Sequence, residues 1–475
     1  MSVKANHCLP EGANGELKEV LGVNHEKQTT TQQVGVSKVQ VIGFGISGLG
    51  VAFAADRQGH LEALCQQGLV YLDKRGSDQL ESLRFDILSN SPVEDFIAGI
   101  SKQGVFADIL NNENGRRLCE FAHKEVPLKL ISEFFNDTSL HLREILSTYD
   151  ASNFYSGTHV ASLKLESTGE VTSFNALGQP LVTSEYAVIA TGATERKDES
   201  FKRLAITMGA HLECSEKVLR GQYNDQLRAL IDSGQKIIIF GGSHSAFSVV
   251  EYLLRNFSNA LAKQQIKVIT RSSVKLHYSC IREFNDCSQL GEKGLVDIET
   301  RRINRYCGLR SEAKKTYLSV IDGTEPRVEI ATFSSVHSIM DSISKKGSIF
   351  SKTGLIIQAT GYRAAHPKIL NADGIEVECD QSRGFLTVSQ DYRVRDQHKK
   401  PLKAIFAIGM GNFVAPEESL MSTGEIPVGV NVYHNNDAMV VLKNIMDNIE
   451  INAQTLLSEQ PTSSRARSQP KTRAV

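Results

Sequence analysis

The chain has no two cysteines at C-x-x-C spacing, no apolar run of membrane-spanning length and no excess of either charge. Each absence excludes something. The eight cysteines are Cys8, Cys65, Cys119, Cys214, Cys280, Cys287, Cys307 and Cys379. Their spacing argues against dithiol exchange and against a structural zinc site. The nearest two, Cys280 and Cys287, are read as buried reduced thiols. Lys and Arg (53) balance Asp and Glu (54) to a net charge of -1, which supplies no field to draw nucleic acid or an anionic membrane. A membrane helix needs roughly 18 or more consecutive apolar residues, and none are present. The first residues, MSVKANHCLPEGANGELKEV, lack a charged segment followed by an apolar one, so a cytoplasmic protein is expected. No Ser/His/Asp or paired-carboxylate constellation stands out.

What is there is an ordinary globular composition: 475 residues, 41% apolar and 23% charged. That length suits about two or three domains. Residues 1–36 are polar, with a Gln/Thr-rich stretch near their end, and residues 452–475 are rich in Ser, Thr, Arg and Lys. A flexible leader and a solvated, disordered basic tail are expected there.

Between them one pattern is written twice. Val39-Gln40-Val41-Ile42 runs into Gly43-Phe44-Gly45-Ile46-Ser47-Gly48, then a helix-like stretch, then the short apolar run ending at Asp73-Lys74. Lys236-Ile237-Ile238-Ile239-Phe240 runs into Gly241-Gly242-Ser243-His244-Ser245-Ala246, another helix-like stretch, and a strand ending in Thr270-Arg271-Ser272. Strand, glycine turn, helix and strand make the dinucleotide-binding unit. Gly43 permits the tight turn, Gly45 lets a pyrophosphate approach the backbone, and Gly48 lets helix and strand pack closely. The helix N-terminus then faces the phosphate charge. Asp73 is placed to accept from a ribose hydroxyl, with Lys74 beside it. In the second copy Ser243 replaces the middle glycine. Arg271 and Ser272 stand where an acidic residue would read an unphosphorylated ribose, which favours NADPH over NADH.

Two apolar strands end in Ala190-Thr191-Gly192 and Ala359-Thr360-Gly361-Tyr362, bracketing the second unit, and a third runs into Gly409-Met410-Gly411-Asn412. Such ends let a chain pass close to a cofactor. The expected architecture is α/β, with two Rossmann-like dinucleotide-binding domains and the NAD(P) domain inserted in the FAD domain. Its boundaries are 37–195 and 366–451 for FAD and 196–365 for NADPH.

With these motifs in order from about Val39 to Ile449, the sequence resembles the flavin-dependent monooxygenases of the N-hydroxylating and flavin-containing type. The Ala-Thr-Gly-Tyr ending and Ser82-Leu83-Arg84 followed by Ser89-Asn90-Ser91-Pro92 carry the likeness further. Besides Ser243 in the second turn, two features depart from it. The Phe-x-Gly-x-x-x-His fingerprint before the second turn is missing, leaving His211 an ordinary histidine, and the segment Lys102–Asn136 is long. The resemblance implies FAD and NADPH as cofactors, and O2 and a small-molecule substrate as partners; homo-oligomerisation stays open. It implies hydroxylation of an amine nitrogen or a sulfur through a flavin C4a-hydroperoxide, with Asn90 beside the reacting flavin carbon and Ser245 and Thr360 against the nicotinamide nucleotide. A reductase serving a non-dithiol acceptor and a slow FAD- and NADPH-binding redox sensor are the alternatives. Arg305 and Arg310 in the second unit are read first as phosphate or surface partners, and second as ligands for a substrate carboxylate.

Overall fold

The computed structural model describes residues 36–76, 83–121, 123–278, 308–343, 350–382, 384–414 and 437–447. The basic tail, all but the last residue of the leader, Ser82, Arg305 and the pair Cys280 and Cys287 lie outside them.

Strand Ser37–Ile42 is buried at every position, as a strand covered on both faces must be. It pairs in parallel with Leu69–Leu72 on one side and Pro180–Ile189 on the other. Asn153–Tyr155 extends the first side and Pro401–Ala407 the second, also in parallel. The register brings Ile42, Ile189 and Ala407 level, so three chain segments leave this sheet at one edge. The remaining strands of this sheet include two that run antiparallel, Val171–Phe174 against Pro180–Ile189 and Arg393–Arg395 against Pro401–Ala407.

Helix Ile46–Arg57 is buried on nearly all sides, from Ile46 and Leu49 to Ala55. Its small residues Gly48, Gly50, Ala52, Ala54 and Ala55 let it sit between the sheet and its neighbours. Helix Leu128–Ser147 is amphipathic and turns Ile131, Phe134, Phe135, Leu142 and Leu146 into the same core. The segment that departed from the resemblance thus folds into short helices, Ala107–Asn111 and Glu113–Cys119, and the start of this long one.

The second sheet has five parallel strands in the order Val328–Thr332, Ile266–Thr270, Lys236–Phe240, Thr353–Gln358, His211–Cys214. Lys236–Phe240 is central, with its sequence successor on one side and the last strand on the other. That reversal of strand order opens a crevice at the carboxyl ends, where α/β sheets bind ligands. The first sheet has the same reversal around Ser37–Ile42. Between the sheets the chain passes twice, and the passes pair: Ala193–Thr194 runs antiparallel to Arg363–Ala364. Gln358 fastens them, donating to the Arg196 carbonyl at 2.8 Å and accepting from the Asp198 amide at 2.9 Å.

Candidate functional site

The two glycine turns are built alike, bond for bond. Gly43 N–H donates to the Leu72 carbonyl (2.8 Å) and Ala190 N–H to the Ile42 carbonyl (2.8 Å). In the second unit Gly241 N–H donates to Ile269 (3.0 Å) and Ala359 N–H to Phe240 (2.8 Å). Each first glycine has φ in the region L residues avoid, +105° and +150°. A Cβ on Gly43 would lie 2.5 Å from the Ala190 carbonyl oxygen, and one on Gly241 would overlap that of Ala359. Both turns therefore close against the alanine of an Ala-Thr-Gly end.

At the first turn the sequence-expected residues come together. A Cβ on Gly45 would meet nothing within 4 Å, leaving the open approach a pyrophosphate needs. Gly45 also precedes the N-terminus of helix Ile46–Arg57 with no side-chain cap, so its first N–H groups are free for an anion. Gly409 lies against the Ser47 side chain, and Gly411 against Gly192, where an added Cβ would sit 2.7 Å from the carbonyl oxygen. Asn412 donates to the Ile408 carbonyl at 2.6 Å, while its Oδ1 is buried with no partner among the described residues. An orphaned acceptor beside three glycine turns fits a bound group that brings its own donors.

Asp73 is 4% exposed and held more tightly than the sequence suggests. Its Oδ2 accepts from Phe44 N (2.6 Å) and Arg75 Nη2 (2.7 Å), and its Oδ1 from Arg75 N (2.8 Å) and Nε (2.9 Å). Burial alone would push this carboxyl up; the Arg75 bonds and charge and the Phe44 amide outweigh it and hold it below its ordinary range. The four bonds fill the carboxylate's acceptor capacity. A ribose hydroxyl can bind Asp73 only if the Arg75 side chain yields a position. Lys74, which sequence reasoning named, is exposed, and Arg75, which it passed over, makes the pair. Asp73→Ala strips partners from Phe44 N–H and Arg75 together. It is expected to weaken flavin binding about tenfold or more, the ~1.4 kcal/mol of one charge-assisted hydrogen bond. The flavin-to-protein ratio after dialysis measures this, and an unchanged ratio would remove Asp73 from the site.

Asp437, also missed, begins the final helical stretch, whose Ala438, Val441, Leu442 and Ile445 enter the first core. Burial raises its carboxyl to about 6 against hydrogen bonds from Tyr392 and the Gly409 amide, and its Oδ1 has no partner among the described residues. The sequence signal was there in weak form: an acidic residue immediately before an i, i+3, i+4, i+7 apolar stripe.

In the second unit, Gly242 abuts the Thr270 side chain (3.3 Å for an added Cβ). Arg271 and Ser272 follow Thr270 at once and are exposed, so they flank the turn. Ser243 is extended and makes no side-chain cap to helix His244–Asn256. Ser245 is half-buried on its first turn, and Thr360 and Gly361 stand exposed at the neighbouring strand end. Tyr362 is set apart: burial chiefly, and then the charges of Glu195 and Glu216, push its hydroxyl up. It belongs to the passage between the sheets rather than to the turn.

Asn90 is exposed on a segment that faces the second unit. It lines one cleft with Ser89, His244, Ser248, Glu251, Arg310 and Ser311. Ser89 anchors it from below, its Oγ donating to the Ser91 carbonyl (2.7 Å) and accepting from Val126 N (3.1 Å). Across the cleft, His244 Nε2 accepts from the Arg310 amide at 3.1 Å. Burial, then the Arg310 charge, lowers this imidazole to about 4, so it is neutral at pH 7. Among the described residues no group of His, Cys, Asp and Glu is placed to hold a metal, and no helix is long and apolar enough to cross a membrane.

No family model matches the sequence. The chain is 22% identical over 437 residues to the CMP-5'-(3-aminopropyl)phosphonate hydroxylase of Streptomyces rubellomurinus, covering 86% of this chain and 97% of that one. Among solved structures it is similar to the FAD-bound cadaverine monooxygenase of desferrioxamine biosynthesis from Erwinia amylovora, at 13% identity, 87% and 95% coverage and a TM-score of 0.56. It is similar also to the ornithine N-hydroxylase of Kutzneria sp. 744 with reduced FAD, NADP+ and L-ornithine, at 13% identity, 87% and 100% coverage and a TM-score of 0.52. With two glycine turns built bond for bond alike, on one mixed and one parallel sheet joined by a paired crossing, this chain has the fold of these two N-hydroxylating flavin monooxygenases.

Proposed function

We propose that this chain is an FAD- and NADPH-dependent monooxygenase that hydroxylates the amine nitrogen of a small molecule, in the cytoplasm. The observation that carries it is the pair of glycine turns built alike on two sheets; beside the second of them lies a cleft that Asn90 reaches from the first unit and His244, the first residue of the second turn's helix, from the other. Domain boundaries at 37–195, 196–365 and 366–451 belong to the same proposal.

The first turn would hold the FAD pyrophosphate on the N-terminus of helix Ile46–Arg57, and Asp73 the adenosine ribose. The second would hold NADPH on helix His244–Asn256, with Arg271 on the 2′-phosphate. Bound there, FAD and NADPH would supply the hydride-transfer and oxygen-activation chemistry that hydroxylation of a substrate nitrogen requires. The chain's own task is to orient both groups and keep water from the reacting face. Ile87 and Leu88 flank Asn90 in the cleft with apolar surface, and neutral His244 adds no proton donor at pH 7. Oxygen transfer to an amine lone pair calls for no dedicated protein base.

The test is NADPH oxidation by the flavin-loaded protein in aerated buffer, with candidate primary amines, O2 uptake, peroxide release and hydroxylamine formation followed together. Hydroxylamine matching NADPH consumed supports the reading. Fast turnover with a quinone and none with amines would assign a reductase, and no reduction by NADPH would leave a binding protein. Arg271→Ala is expected to raise the KM for NADPH about tenfold or more, as loss of a charge-assisted phosphate contact does, with little change for NADH. Equal effects on both would remove Arg271 from the 2′-phosphate.

A further inference from the structure

Residues 83–91 bridge the two units in a way the nucleotide turns do not require. Leu83 packs on the first core, but Phe85 and Ile87 pack on the second. Asp86 N–H donates to the Leu219 carbonyl of the second unit at 2.8 Å. One and three residues later the chain is tied back to the first unit: Leu128 N–H donates to the Ile87 carbonyl (2.9 Å) and Ser89 N–H to the Val126 carbonyl (2.8 Å). The Arg220 guanidinium lies over the Phe85 ring, 4.6 Å from its centre. Arg255, in the last turn of helix His244–Asn256, reaches the Asp86 carbonyl oxygen with Nη2 and its carboxylate at 3.3 Å. Arg255 also pairs with Glu251 at 3.7 Å, itself a wall of the cleft.

We propose that Arg255 is a positioning residue: it ties residues 83–91 to the helix that starts at the second glycine turn, so that seating a nucleotide on that helix and placing Asn90 at the cleft become one event. The proposal rests on the functional reading above. Its physical basis is leverage. Helix His244–Asn256 has the glycine turn at one end and Arg255 near the other, and a helix transmits a small rotation along its length as a rigid rod. One guanidinium nitrogen, Nη2, reaches both the backbone and the side chain of Asp86, while Nη1 faces Glu251 on its own helix, so the side chain is held between the two segments. Asn90 is four residues on, with Ser89 buried beneath it, and the bonds of Ile87 and Ser89 to the first unit make Asp86 and Asn90 parts of one short, held stretch.

Flavin-loaded wild type, Arg255→Ala and Arg255→Lys are compared by amide hydrogen exchange, thermal midpoint and anaerobic reduction with NADPH. Arg255→Ala should raise exchange over residues 85–89 while the two sheets, flavin content and midpoint stay near wild type. Reduction at saturating NADPH should slow about tenfold or more, since a displacement near 1 Å far from the chemistry can cost that much. The half-saturating NADPH concentration should change less than about twofold, the split expected of lost positioning rather than lost binding. Arg255→Lys, which keeps the charge and one donor nitrogen, should recover part of the rate. An unchanged reduction rate overturns the proposal, and so does a rise in exchange over both sheets with a matching loss of midpoint, which is a merely structural effect. If NADPH fails to reduce the wild type, the functional reading falls instead, and unchanged exchange over 85–89 in Arg255→Ala then overturns the tie itself.

Discussion

Gly43→Ala is expected to yield protein without flavin, and Gly241→Ala protein that keeps its flavin but is no longer reduced by NADPH. Both glycines sit at positive φ and both close against an alanine carbonyl. Overpacking such a contact costs about 1–3 kcal/mol, and holding an L residue at positive φ about 1–2 kcal/mol more. The strain cannot be relieved by rotating a side chain, because the opposing atom is backbone in each case. The turn must move instead, and with it the helix N-terminus that would face the phosphates. What separates the two variants is location. Gly43 stands at the edge where Ile42, Ile189 and Ala407 end together, whereas Gly241 stands on the five-stranded sheet with a core of its own. Flavin absorbance of the purified proteins and anaerobic titration with NADPH check both. Flavin retained by Gly43→Ala, or lost equally by both, would sink the assignment of one nucleotide to each turn.

The turns were legible in the sequence because their chemistry is local. A glycine, a strand before it and a helix after it lie within about ten residues, and the physical demand for each glycine can be stated from spacing alone. The Ala-Thr-Gly ends were legible as strand ends, but that their alanine carbonyls wall in Gly43 and Gly241 follows only from strand order. Arg75 was passed over because Asp73 was read as facing a ribose, not a guanidinium two residues away. Asp437 and the Asp86–Arg255 tie were missed for a different reason. Each joins residues far apart in the chain, Gly409 to Asp437 and Asp86 to Arg255; the stripe after Asp437 marks a helix but not its partner, and the Asp86–Arg255 tie belongs to no periodic pattern. The long segment Lys102–Asn136, in contrast, looked foreign only against a resemblance. Its own apolar spacing, with Ile131, Phe134 and Phe135 on one face, is that of an ordinary core helix.

Asp437→Asn and His244→Gln are expected to tilt the dependence of stability on pH in opposite directions. Burial, first, raises Asp437 from its ordinary 3.8 to about 6, so between those values the folded chain holds a proton that the unfolded chain has released. Stability from this group is full below its ordinary value and is lost as pH rises through about 6. His244 is the reverse case. Burial, then Arg310, lowers it from 6.5 to about 4, so the folded chain holds one proton fewer. Its contribution is full above 6.5 and is lost as pH falls toward about 4. Each tenfold change in proton affinity is worth about 1.4 kcal/mol, which makes each contribution roughly 3 kcal/mol and sets one against the other across the same window. The wild type should therefore show a slope between those of the two variants. His244→Gln should leave the Asp437 tilt, with stability falling from about pH 4 to 6, and Asp437→Asn the His244 tilt, with stability rising over about the same range. Urea midpoints across that range decide it, and two variants with the wild-type slope would mean that neither group carries the predicted charge change. The flavin supplies a further control. A hydroxyl donated to the orphaned Asp437 Oδ1 would stabilise the carboxylate, so in His244→Gln the fall with pH should be steeper without flavin than with it. A fall of the same steepness in both forms would place Asp437 outside the reach of the bound group.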